Sequence, residues 1–342
     1  MKKNPLKLFN YSVVMLMAVI SFYSCQFDDP GKKKSIGAVN ELLVVTNDKA
    51  QWESALGDSI RAVFAAQMPA LTQPEPYFDL INVADENFSD IFQKYHNIFI
   101  ADINPQATGV KSETNENVWA VPQRVIKITA PDLSSFYTEM ARMKATFMEM
   151  FIALERQRTL NISQLSVNMD LSREVEQKFG ISLPFPGGFY KAGEAPGFMW
   201  IRHKVTKARQ DVELGIMVYS ADYRDQSVFD PRHVIKWRNL VTMQYVPGPS
   251  PLSFMKVSEE YIPPVFDTIT YFPGGYALET RGIWEVENDF MGGVFVSYTF
   301  INPADNKVMT LDGYVYNPND DKKNFLRQLE AIFFAMKFSS PN

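Results

Sequence analysis

Cysteine is almost absent: Cys25 is the only one in 342 residues. No disulfide can form within the chain, so the fold must rest on its core alone. Histidine is scarce too. His96, His203 and His233 are the only three, which disfavours a multi-histidine zinc centre. Gly-x-Ser-x-Gly, the Walker loop, Gly-x-Gly-x-x-Gly and His-Glu-x-x-His are all missing, and with them a nucleophile elbow, two kinds of phosphate cradle and a zincin helix. The polar turns ADNK and NPNDDKK lack the Asp-x-Asp-x-Asp-Gly spacing of a calcium loop. Ser253 and Lys256 match a bare Ser-x-x-Lys, but in a proline-rich stretch with no later Lys-Thr-Gly, so the match reads as chance. No cofactor and no metal are expected. An excess of positive charge is also missing: 34 Lys and Arg stand against 39 Asp and Glu, a net charge of −5. Nucleic acid is therefore not an expected partner.

Long apolar runs are missing after the N-terminus. The start of the chain is different. Lys2, Lys3 and Lys7 precede Tyr11 to Ser24, a stretch that is nearly all apolar and uncharged. That is the layout of a secretory signal peptide, shorter than the roughly 18–20 apolar residues of a spanning helix. Cys25 follows directly. Ser24 is small, as a lipobox requires, while Phe22 and Tyr23 are bulkier than usual. The pattern resembles a lipoprotein signal with Cys25 as the acylated residue. Residues 1–24 would be removed, and the mature chain would be three charges more negative, since they carry three Lys and no acid. Two or more acyl chains on Cys25 would hold the protein firmly on a membrane, at about 0.8 kcal/mol per buried CH₂. FDDPGKKKS then reads as a solvated tether over residues 25–36.

The remainder has 46% hydrophobic and 13% aromatic residues, the composition of a folded chain with a core. Residues 37–162 alternate. ELLVVTN predicts a buried strand. A helix follows under an Asp48–Gln51 capping box, with Trp52, Leu56, Ile60, Val63 and Phe64 on one face and Pro69 beyond its end. FDLINVAD predicts a second strand, Asn87 to His96 a short helix and NIFIADI a third strand. KSETNEN reads as a polar loop, and VWAV and RVIKITA as strands. Asp132 caps a long helix whose apolar positions, Leu133 through Phe136, Met140, Met143, Phe147 and Phe151 to Leu154, recur at three and four.

Residues 163–342 differ. Phe-Pro-Gly-Gly-aromatic occurs twice, at Phe185 and Phe272, with Trp200 and Trp284 soon after. Each copy precedes alternating strands and then a helix, so this part reads as antiparallel sheet with packed helices. A duplicated strand-strand-strand-helix unit is one reading; shared turn chemistry is the other. The first closing helix starts at Asp230-Pro231, with Val234, Trp237, Leu240 and Val241 as its apolar face. The last helix places Phe325, Leu329, Ile332, Phe333 and Met336 inward. The fold class is α+β.

Candidate chemistry is thin. Glu285 and Glu287 alternate on a strand and should share a face; such a pair could act as acid and base on a glycoside, or simply decorate an exposed strand. Trp200, with Arg202 and Lys204 at the same alternation, is a candidate for an outward binding face, and Trp284 stands beside the glutamates. His203 alternates with Met199, Ile201 and Val205 and should point inward. His96 should sit at a helix end and His233 in an exposed first turn.

The stretch from Asn40 to Val83, with its Trp-bearing helix and the string Gln73 to Pro76, together with NIFIADI, resembles a family of Bacteroidota lipoproteins, the domain-of-unknown-function 4837 family. The resemblance implies no catalytic residue. It implies an outer-membrane location, and Asp28 and Asp29 resemble the acidic pair that directs such lipoproteins to the cell surface. The expected partners are the membrane, through the lipid, and an envelope protein or glycan. The leading functional expectation is a non-catalytic binding or structural component. A membrane-tethered hydrolase and a surface glycan-binding module are the alternatives.

Overall fold

The computed structural model describes residues 31–163, 166–206 and 211–339. The first part builds a five-stranded sheet from β1 (Glu41–Thr46), β2 (Asp79–Ala84), β3 (Asn97–Ile103), β4 (Lys111–Glu116) and β5 (Arg124–Ala130), in the order β2-β1-β3-β5-β4. All neighbours are parallel except β4, which runs antiparallel to β5. β1 is buried on both sides because two layers flank it. Leu42 and Val44 face α1 (Ala55–Phe64) and α2 (Leu133–Ser163). Leu43 and Val45 face a cover of loop aromatics, Phe88, Phe92, Tyr95 and Trp119.

Three local expectations change. The helix after β1 is not continuous: one turn, Lys49–Trp52, capped by Asp48, stops at Glu53, and Ser54 caps α1 afresh by accepting from Leu56 N. Residues 87–96 form short 3₁₀ turns, not a helix, because Gln123 Nε2 takes the carbonyls of Gln93 (2.6 Å) and Tyr95 (2.7 Å) out of any helical ladder. KSETNE is strand β4, not a loop. It is an edge strand with little burial, so it has no apolar alternation to betray it.

The second part is one eight-stranded antiparallel sheet, with α3 (Met169–Phe179), β6 (Tyr190–Ala195), β7 (Phe198–Thr206), β8 (Asp211–Asp222) and α4 (Pro231–Tyr245) followed by β9 (Phe254–Ser258), β10 (Val265–Phe272), β11 (Gly275–Glu287), β12 (Gly292–Asn302), β13 (Lys307–Tyr316) and α5 (Lys323–Phe334). The strand order is β9-β11-β12-β13-β8-β7-β6, with β10 sharing the β9 edge of β11. The chain is therefore α+β, with an alternating β/α first part and an antiparallel second part. Helices cover both faces of the second sheet. α3 and α5 lie on Ile201, Ile216, Val218, Val296 and Leu311. α4 lies on Phe198, Met217, Tyr219 and Phe295. Both Phe-Pro-Gly-Gly strings make turns with the second glycine at positive φ, Gly188 at 92° and Gly275 at 81°, where a side chain would be strained. Each leads into an outer strand of a three-strand meander, β6-β7-β8 or β11-β12-β13, and the meanders abut at β8 and β13. Their helices, α4 and α5, take opposite faces, so strand order repeats and helix placement does not.

The two parts are joined by polar groups. Lys322, at the head of α5, offers no side-chain cap. Glu75 supplies it from the first part: its carboxylate accepts from Lys322 N (2.9 and 3.1 Å) and Lys323 N (2.8 Å) and is buried. An anion there satisfies orphan amides and meets the positive end of the helix dipole. Gln73 adds a bond to Asp321 at 3.1 Å. Behind the cap, α2 packs on α5. Glu330 receives Arg281 (2.6 Å) and Arg327 (2.9 Å), and Arg156 stacks 3.5 Å over Phe334 while pairing with Glu149. Asn40 Nδ2 donates to Asn324 Oδ1 at 2.8 Å. His96 is buried beside α2 and not at the end of a helix: Nδ1 lies 2.6 Å from Ile36 O and Nε2 2.7 Å from Glu155.

Two outcomes follow for stability. Glu75→Ala should lower the folding free energy by about 1–3 kcal/mol, because it strands buried amides, whereas Gln73→Ala should stay within about 0.5 kcal/mol; urea midpoints compare the two. Glu330 is the second case. Burial alone would raise its pKa, but Arg281, Arg327 and Arg156 outweigh it and lower the value from 4.5 to about 2. The ionised group thus contributes stability that is complete above 4.5 and lost as pH falls toward about 2. Urea titrations across that range should show the acid loss, and Glu330→Gln should flatten it while costing about 3–5 kcal/mol at neutral pH.

Candidate functional site

The residues nominated by sequence fall into two separate groups. Trp200 and Arg202 lie on β7 and point to the α4 face. Trp200 is half-buried, and its Nε1 donates to the Tyr314 hydroxyl at 3.0 Å. That hydroxyl donates to Glu213 Oε1 at 2.8 Å, and Glu213 also pairs with Arg202, whose guanidinium sits 4.8 Å over the Trp200 ring. Trp284 completes the row 5.6 Å from Tyr314 and is buried. The row is a connected network against the sheet, with the Arg202 guanidinium over one face of the Trp200 ring. Trp200 is therefore not the outward platform that strand alternation allowed: the face it points to is the one that α4 covers.

Glu285 and Glu287 do share a face, as their alternation predicts, but on the side opposite Trp200. Lys256, directly across from Glu285 on β9, bridges both at 3.3 and 2.5 Å. His203 is on β7, four strand spacings away through β12, β13 and β8, or about 19 Å at roughly 4.8 Å per spacing. Its ring packs 4.9 Å from Phe189, over the first Pro-Gly-Gly turn. Burial holds its pKa below the usual imidazole range. A Cβ at Gly188 would come within 2.7 Å of that ring, so the glycine lets the histidine close on the turn. His233 is in the exposed first turn of α4. The glutamates and His203 therefore do not meet in one cleft. Cys25, Asp28 and Asp29 lie outside the described residues.

Among the described residues, two concavities that open to solvent stand out. One, of 610 Å³, runs between α4 and the β9–β10 connection. Its walls are Ile235, Leu240, Met243, Phe254, Phe266 and the Pro263-Pro264 pair, with Arg232 and Lys236 at the rim. Leu240 is here half-exposed, contrary to its expected inward place on α4. Arg238 takes the inward place, bound to Asp312 at 2.7 and 3.2 Å and 3.9 Å over Phe295. The other cleft, of 430 Å³, is at the β11–β12 end of the sheet and includes Thr72 from the first part. Tyr261 (81% exposed) and Phe290, which is fully exposed, flank it. Ser258, Glu285 and Asp289 contribute polar atoms, and Trp284 lines its floor. The Ser250 hydroxyl, then the Phe290 and Met291 backbone amides, hold the Asp289 carboxyl below its usual range. Sequence reasoning missed Tyr261 and Phe290, since each stands alone in a polar loop (SEEYI and ENDFM) with no periodic signal.

Among the described residues, no helix is long and apolar enough to cross a membrane, and no cluster of three or more His, Cys, Asp or Glu is placed to hold a metal ion. A family model described as Domain of unknown function (DUF4837) matches residues 168–335, and a second, Domain of unknown function (DUF8532), matches residues 35–164. The stretch Asn40 to Val83 lies within the second match. No curated protein matches the chain. Among solved structures, the protein Mog1 E65A mutant is similar over 45% of this chain and 84% of its own, at 10% identity and a TM-score of 0.27. LpqN, involved in cell envelope biogenesis of Mycobacterium tuberculosis, covers 47% of this chain and 83% of its own, at 15% identity and a TM-score of 0.29. Neither likeness is close enough to carry an argument.

The Trp200 row is testable as structure. Tyr314→Phe removes the hydroxyl that joins Trp200 to Glu213 and should cost about 1–2 kcal/mol, read from the denaturation midpoint.

Proposed function

We propose that this chain, which belongs to the domain of unknown function family DUF4837, is a lipid-anchored envelope protein of the outer membrane that acts by binding. The anchor rests on the sequence: three lysines, an uncharged apolar run and then Cys25, the one cysteine of the chain. The observation that favours binding over hydrolysis is the placement of the candidate acids. Lys256 bridges Glu285 and Glu287, and His203 stands four strands away. A hydrolase needs a free acid and a free base converging on one cleft; Glu285 and Asp289 line the same cleft, but Lys256 pairs with Glu285 and the Ser250 hydroxyl with Asp289. The open concavities, by contrast, carry mainly apolar and aromatic walls with few polar groups, the character of a recognition surface.

Cell-surface display is the further part of this reading, from Asp28 and Asp29 behind the cysteine. Cys25→Ser should abolish incorporation of labelled palmitate and release the protein from the membrane fraction. Labelling that persists in this variant would reject the anchor. Protease treatment of intact cells separates a surface-displayed chain, which is degraded, from one facing the periplasm, which is protected.

A further inference from the structure

The most exposed large apolar side chains of the second part are gathered at one end of its sheet. Leu252, Tyr261 and Phe290 come from three different loops. Two of these loops are tied together: the Ser250 hydroxyl donates to Asp289 Oδ2, and Asp289 Oδ1 accepts from Phe290 N at 2.7 Å. The hairpin tip is closed further by Val286 N to Met291 O at 2.9 Å and Asp289 N to Val286 O at 3.2 Å. Phe290 is thus held in water by a hydrogen-bonded turn. Tyr261 lines the same 430 Å³ cleft as Phe290, a volume within the range of small-ligand sites.

The cleft lining is aromatic and polar without being cationic. Ser258 and Thr72 offer hydroxyls and Glu285 and Asp289 carboxylates; among the described residues no Lys or Arg lines it, and Lys256, on the neighbouring strand, is held between Glu285 and Glu287. Glu259 and Glu260, next to Ser258, add negative charge. This charge repels phosphates, anionic lipid headgroups and acidic polymers. It suits a ligand that is uncharged, presents apolar faces to aromatic rings and donates hydrogen bonds to carboxylates. A pyranose does all three: its axial C–H bonds form an apolar face, and its vicinal hydroxyls are donors.

We propose that this cleft is a carbohydrate subsite that takes a neutral glycan, with Tyr261 and Phe290 as the stacking faces and Asp289 and Glu285 as acceptors for its hydroxyls. The assignment rests on the reading of the protein as a binding component and gives that component its ligand class. It also moves the binding residues away from Trp200 and Arg202, whose ring and guanidinium are closed against Tyr314 and Glu213. The site spans both parts of the chain, because Thr72 precedes the Gln73–Pro76 string that carries the Glu75 cap.

Detergent-solubilised full chain, mixed with microcrystalline cellulose, insoluble mannan, insoluble xylan, raw starch or chitin and then sedimented, tests this directly. Retention on at least one neutral polysaccharide is expected. Tyr261→Ala and Phe290→Ala should each weaken it about tenfold, the scale of one lost stacking contact. Both side chains are solvent-exposed, so folding should be untouched, which unchanged urea midpoints would verify. Leu240→Ala, in the separate α4 groove, should bind as wild type does. Retention on none of the five, equal retention by both aromatic variants, or a preference for heparin-agarose overturns the assignment. The wider reading has its own readout. If cross-linking in intact cells captures an envelope protein through Tyr261 or Phe290 while no polysaccharide retains the chain, the carbohydrate subsite falls and the binding role stands. If Cys25→Ser leaves membrane retention unchanged, the anchor falls independently of both.

Discussion

The carboxylate of Glu75 closes the first turn of α5 from the other half of the chain, and much of the architecture depends on that contact. A helix start that cannot cap itself leaves amides without partners, and here burial denies them water. The cap is carried by a loop whose own backbone is fixed: Tyr77 N and Phe78 N bond back to Ala66 O and Phe64 O at the end of α1. Position is thus relayed from the five-stranded sheet, through α1 and the Pro74–Pro76 segment, to the helix that covers the antiparallel sheet. The packing of α2 on α5 then lies in register with the ion cluster of Arg156, Arg281, Arg327 and Glu330. Buried ions tolerate little displacement, because a charge separated from its partner remains desolvated. The cluster therefore holds one orientation of the two halves more than it adds net stability.

That division of labour has a consequence at the surface. Several strong polar groups of the chain are turned inward and matched with one another: Glu330 with two arginines, Arg238 with Asp312, Glu155 with His96 and Arg158. The two open clefts carry apolar walls, with Arg232 and Lys236 at the α4 groove and exposed aromatic rings and carboxylates at the other. Such a surface recognises shape, ring faces and hydroxyls more readily than it moves protons. The closed Trp200–Tyr314–Glu213–Arg202 row belongs to the inward set, although its residue types look like a binding strip. Burial of their polar atoms against one another decides the difference.

The strand pattern was legible because burial imposes a periodicity. ELLVVT, NIFIADI and RVIKITA form strands where their apolar content places them, and the three-four spacing from Phe136 to Leu154 forms the long helix α2. Elements with one wet face and no apolar rhythm were not legible. KSETNE reads as a loop yet completes the sheet edge, since its ladder of backbone bonds, joined by Ser112 to Glu139 and Arg124 to Glu116, needs no apolar alternation. The exchange of Leu240 for Arg238 on the inner face of α4 has the same root. Helical spacing ranks residues by hydrophobicity, and only the arrival of Asp312, 74 positions later, makes the arginine the better buried residue.

What the amino-acid order determined by itself was therefore local: the N-terminal lysines, apolar run and single cysteine, the helix and strand content, and the α+β class. Each follows from interactions between near neighbours or from the chain's own periodicity. Tertiary structure alone decided which residue caps α5, which acids pair with Lys256, where His203 lies relative to them, and that Tyr261 and Phe290 line one cleft. These facts join positions from about thirty to 250 residues apart, and no spacing rule reaches that far. They depend on how the sheets and helices pack, which is settled by the total burial of apolar surface and the need to pair every buried charge.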